Sequence, residues 1–236
     1  MDRKFWRAKL QLVKNAWRGC HREENAKHGR VTTQDFGVTF SRSLTENIEV
    51  NSQVSGWQID SSEWSLRMRI AILDPRAARL RSEAMTGFDT SGITTIDFDV
   101  LAAAAAIDGR ELEPSPSIEP GASDDHVRLV VKEFSDKIDQ IWTFAGGFTT
   151  AGLKTLSIWV IRNRAIVGVP LGPPAYVFGV ICTAAVYGER ELAREFLQEY
   201  EVHLDERRRV EAVNEPARAI HAALSSDVTR LRALLS

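Results

Sequence analysis

The sequence predicts an α+β fold, with an N-terminal helix, an antiparallel sheet of about four strands and a helical C-terminal half. Three observations point there. Apolar residues recur at helical spacing near the start and again beyond residue 124, and they alternate with polar residues between 34 and 100. A proline-rich stretch separates the two patterns. On this reading residues 1–107 form the sheet-containing part, 108–123 a loop and 124–236 the helical part. All of it is expected to pack as one domain, because each half alone would bury only a modest core.

The first element runs from Asp2 to about Arg18, with Phe5, Leu12, Val13 and Ala16 at helical spacing. Lysines and arginines fill the positions between, as in an amphipathic helix whose charged face is in water. The period then changes to two. Phe36, Val38 and Phe40 alternate with Gly37, Thr39 and Ser41, and Ile48, Val50 and Val54 continue the pattern. Trp57 and Ile59 resume it in shifted phase, so a bulge is expected near Gly56.

The clearest strand is EWSLRMRIAI. Trp64, Leu66, Met68, Ile70 and Ile72 face one way, and Ser65, Arg67, Arg69 and Ala71 the other. A fourth strand has Ile96, Phe98 and Val100 on one side, with Asp97 and Asp99 opposite. Alternation of this kind predicts an antiparallel sheet with one wet face. Between these strands a short helix is expected from Pro75 to Met85, with proline in its first turn.

Pro114, Pro116, Pro120 and Gly121 leave no room for regular structure in the stretch from Asp108 to Ser123. A long helix should follow, capped by Ser123, Asp124 or Asp125, with Val127, Val130, Phe134, Ile138, Ile141 and Ala145 on one face. Gly146 and Gly147 end it. Further helices are expected from about Thr150 to Arg162, from Ala175 to Tyr187, and from Glu189 to about Arg208, with Gly188 as a break. Pro216 opens a last helical segment, in which Ser225, Ser226 and Asp227 are expected to cap the final turns.

Composition excludes several function classes. With 44% hydrophobic and 26% charged residues the chain is an ordinary globular one. Thirty basic against thirty-two acidic residues leave no excess charge to attract nucleic acid or an acidic membrane. Cys20 and Cys182 are too far apart in sequence, and too few, to build a disulfide framework or a zinc site. The opening MDRKFWRAKLQ carries charges at once, so a signal peptide is not expected and the protein is read as cytoplasmic. Ala165 to Tyr187 lacks charges over a membrane-spanning length, but Pro170, Pro173 and Pro174 interrupt it, which predicts a loop joining two buried elements.

The motif search yields near misses. GGFTTAGLKT resembles a phosphate-binding loop, in which a lysine reaches back over phosphates held by backbone N–H groups. Gly147 and Gly152 have the required separation and Thr155 follows Lys154, but Leu153 displaces Lys154 by one position. The preceding segment also reads as a helix where a strand is required, so a glycine-terminated helix followed by a new one is expected instead.

Asp97 and Asp99 project from one side of a strand, about 7 Å apart. Such a pair can bind a divalent cation or share acid–base work. If the strands are neighbours, the aspartates instead pair across them with arginines such as Arg67 and Arg69, the simpler expectation. No third acidic ligand is fixed by sequence, so no metal is expected.

The histidines are scattered and none has a metal spacing, and no G-x-S-x-G turn supports a nucleophilic serine. Arg207, Arg208 and Arg209 follow Asp205 and Glu206 at a helix end, where positive charge suits the helix dipole.

Two segments are similar to known repeats. AVYGERELAREFLQEY resembles the helix–Gly–helix turn of tetratricopeptide repeats, and AIHAALSSDVTRLRALLS the paired helices of an ankyrin repeat. Neither recurs, and a solenoid needs at least three repeats, so both are ordinary helical hairpins. The whole order of elements resembles the small α+β immunity and accessory proteins found beside bacterial toxins. The resemblance is architectural and carries over no residue; it implies action by occluding a partner.

The expected function is therefore that of a non-enzymatic, intracellular protein that binds another protein through the wet face of its sheet. Arg67, Arg69, Asp97 and Asp99 are the expected contacts, with Trp57 and Trp64 as aromatic anchors. The alternative is an enzyme whose site is assembled from distant residues, for which no catalytic residue can be named. Neither reading calls for a cofactor, nucleic acid or a membrane.

Overall fold

The computed structural model describes residues 3–20, 29–34, 37–45, 47–58, 64–86, 90, 93–119, 121–169, 173–211 and 215–236. The fold is α+β. In chain order the elements are α1 (Arg3–Cys20), β1 (Gly29–Gln34), β2 (Gly37–Ser43), β3 (Glu49–Gln58), β4 (Trp64–Leu73), α2 (Pro75–Ala84), β5 (Ile96–Asp99), α3 (Val100–Asp108), β6 (Ser117–Ile118), α4 (Asp124–Ala145), α5 (Thr150–Arg162), α6 (Pro174–Val186), α7 (Arg190–Glu211) and α8 (Glu215–Leu235). They form two compact units. The first holds Met1–Ile72, Asp97–Leu156 and Ile166–Gly168, and the second Leu73–Ile96, Ser157–Ala165 and Val169–Ser236.

The sheet has the order β1-β2-β3-β4-β5, with β6 against β4. β2 pairs antiparallel with β1 and with β3, where Val38 lies opposite Val54 and Phe40 opposite Ser52. These side chains are buried, as are Leu66, Met68, Ile70 and Ile72 of β4, which have no exposed surface at all. Helix α1 lies against β1, β2 and α4, and turns Leu10, Val13 and Trp17 inward, the Trp17 ring 6.1 Å from that of Phe40. The buried stripe of α1 is thus rotated from the expected one, because Leu12 and Ala16 stay half-buried. Helix α4 begins where Ser123 accepts a hydrogen bond from the His126 amide and ends at Gly146, whose φ of 90° only glycine adopts cheaply.

The second unit is built around α6, which is apolar on every side and packs against α2 and α7. Helix α8 closes the bundle against α7 and α2. Phe178 of α6 meets Tyr200 of α7 edge to face, with ring centroids 6.1 Å apart. Among the described residues no helix is long and apolar enough to cross a membrane.

Three expectations are corrected. The fourth strand stops at Asp99, and Val100 opens α3, because the Asp99 carboxylate accepts from the Leu101 and Ala102 amides and the alanine run that follows favours helix. The proline-rich stretch is not wholly irregular: Ser117 and Ile118 pair with Ser65 and Trp64, and Ile118 is fully buried. The pairing starts just after Pro116, whose carbonyl accepts from the Leu66 amide at 2.8 Å, so that proline has no donor to supply. Ser225, Ser226 and Asp227 lie inside α8 instead of capping its end. The Ser225 hydroxyl is satisfied within the helix by donating to the His221 carbonyl one turn back, while Asp227 is buried and pairs with Arg230. Strands β1 and β6 add to the expected set: GRVTTQ offers Val31 as its one large apolar residue and β6 has two residues, so neither shows a period. The expected bulge at Gly56 falls beyond the last registered β2–β3 pair, Gly37 with Ser55.

The two thiols differ sharply. Cys20 is exposed, whereas Cys182 is buried in α6 and its pKa is pushed up to about 12 by that burial. A thiol reagent should therefore label one cysteine per folded chain quickly and Cys182 only on opening of the second unit. Fast labelling of both in the native protein would show that α6 is not the core of its unit.

Candidate functional site

The alternation that buries one face of the sheet leaves the other polar. Across β2 and β3 that face presents Thr39 opposite Gln53 and Ser41 opposite Asn51, all half-buried. On β4 it continues through Ser65, Arg67, Arg69 and Ala71. On β4 the face opens at Arg67, whose side chain is 48% exposed, and closes towards Ser65 and Ala71, both buried.

The structure brings together the four charged residues singled out from sequence. Arg69 Nε donates to Asp97 Oδ1 at 2.5 Å, and Arg67 Nε lies 3.7 Å from Asp99 Oδ2. The later arginine meets the earlier aspartate, the order that antiparallel neighbours give, so the cross-strand pairing is realised. Asp99 carries a second task, since its Oδ1 receives the Leu101 amide at 2.9 Å and the Ala102 amide at 3.1 Å. Its own N–H donates to the Val167 carbonyl at 3.1 Å. The two carboxylates are thus committed to guanidinium partners and a helix start. Among the described residues no group of three or more His, Cys, Asp or Glu side chains is placed to hold a metal ion.

Asp97 is the strained member of the cluster. Burial raises its pKa above the ordinary 3.8, a rise that the neighbouring Arg69 offsets only in part and that the negative charge of Asp99 reinforces. A carboxylate whose folded pKa is raised stabilises the fold fully below the unfolded value, and that contribution is lost as pH rises through the folded value. Asp97→Asn keeps an acceptor for Arg69 and removes the buried charge. Relative to the parent protein, the variant should therefore gain stability between pH 3 and pH 7, the range that spans the ordinary aspartate value. Urea denaturation at both pH values measures this, and a relative loss at neutral pH would mean that the Arg69 pair outweighs burial.

Trp57 lies in β3 and Trp64 in β4, but their side chains fall outside the described residues. The glycine-rich segment is the helix end and helix start expected in place of a phosphate loop. Gly147 follows the end of α4, while Gly152, Lys154 and Thr155 belong to the first turns of α5. The amides there are used by the chain itself: Gly152 N–H donates to Thr149 Oγ1 at 3.0 Å and Leu153 N–H to the Thr149 carbonyl at 2.8 Å. Lys154 is exposed, and the Thr155 hydroxyl donates to Ala151.

Two features went unnoticed in the sequence. A shallow surface cleft of about 20 Å³ is lined by Leu101, Ala104, Asp108, Arg110, Glu113 and Lys137 among others. Arg110 pairs there with Asp108, and Lys137 with Glu113 and with Glu133 outside the lining. In the second unit Asp74 caps α2, accepting from the Arg76 amide at 2.9 Å and from its guanidinium at 2.6 and 3.1 Å. Burial alone would raise the Asp74 pKa, but the hydrogen bonds and charge of Arg76 outweigh it and hold the carboxyl below its usual range. Tyr187 beside it is shifted the other way, by burial and then by the Asp74 charge, so its phenol stays protonated. Neither group is tuned to take a proton near neutral pH. The cleft and the approach of Tyr187 join separate segments and are tertiary, whereas the Asp74 cap is local, an aspartate just before Pro75 at the helix start.

No family model matches this chain, and no curated protein or solved structure matches it either.

Proposed function

We propose that this is a non-enzymatic, intracellular binding protein, of the immunity or accessory kind, that occludes another protein with the polar face of its sheet. One observation carries the reading: among the described residues, the sheet turns Val38, Phe40, Val54, Leu66, Ile70 and Phe98 into the core and presents hydroxyls, amides and two ion pairs on its other face, with Arg67 exposed. Such a face offers hydrogen-bonding groups on a rigid frame, and charges at its rim set encounter rate and partner choice. Capture of the tagged protein from its source lysate should retain a partner at close to one-to-one. Arg67→Glu should weaken that complex by roughly tenfold or more, chiefly through slower association and with a changed salt dependence. A complex that ignores both Arg67→Glu and Gln53→Arg would place the interface elsewhere.

A further inference from the structure

We draw no further inference here: the strongest candidate, the apolar patch that Val202, Val210 and Ile220 leave exposed on the α7–α8 helical hairpin, carries nothing because no feature of the structure shows what covers it.

Discussion

Replacing Arg81 with methionine should cost the second unit about 3 kcal/mol or more. Arg81 has no exposed surface, yet its guanidinium meets only carbonyl oxygens. Nη1 donates to Thr94 at 3.0 Å and Ala175 at 3.3 Å, and Nη2 to Thr90 at 3.0 Å and Ile93 at 2.8 Å. Methionine fills much of the volume but leaves four acceptors without these donors, at roughly 1–3 kcal/mol for each that stays buried and unpaired. Relief from burying a cation offsets part of that. The planar fork matters as much as the charge. Arg81→Lys, with three donors at one point, should recover less than half of the loss.

Gly179 of α6 belongs to the same arrangement, because a Cβ there would come within 2.9 Å of Arg81 Nη1 and 3.0 Å of Thr95 Cα. Urea denaturation, with Cys182 labelling as a second readout of the opening of α6, tests the prediction. A loss under about 1 kcal/mol for Arg81→Met would show that the carbonyls find other donors.

Gly152→Ala is expected to destabilise the first unit by about 2 kcal/mol net, although alanine is the better helix former. A Cβ at this position would overlap the Gly147 carbonyl oxygen and crowd the Ala145 carbonyl at 3.3 Å. Both obstacles are backbone, held by the α4 terminus, so they cannot turn aside as a flexible side chain would. Overpacking of this kind costs about 3 kcal/mol at the upper end of its usual range, against about 1 kcal/mol that alanine gains over glycine in a helix. Gly109→Ala makes the comparison. Its φ is +65° with open space around it, so only left-handed strain of about 1 kcal/mol is expected. If the two variants melt together, the close approach of Gly147 to α5 does not constrain the fold.

Local chemistry was legible. Ser123 and Gly146 bracket α4 because capping needs only residues within one turn of the helix end. The alternation in β4 announced its two faces, since period two is set by the strand itself, whereas the pairing of Arg67 and Arg69 with Asp97 and Asp99 needed β4 and β5 to be neighbours, which the tertiary structure supplies. Where local signals competed, the outcome was less readable. Asp99 fits the strand pattern and a helix cap equally well, and Ser225 to Asp227 look like a cap but sit mid-helix once the Ser225 hydroxyl turns back to His221.

By itself, then, the sequence determined the fold class, most element boundaries and the polar character of one sheet face, because each depends on spacing along a few neighbouring residues. Only the tertiary structure decided that Asp97 is largely withdrawn from water, that Gly147 closes over Gly152, and that Arg81 is held by carbonyls from residues 90, 93, 94 and 175. Burial and long-range hydrogen bonding depend on which distant segments meet, and no period or motif in one chain encodes that meeting.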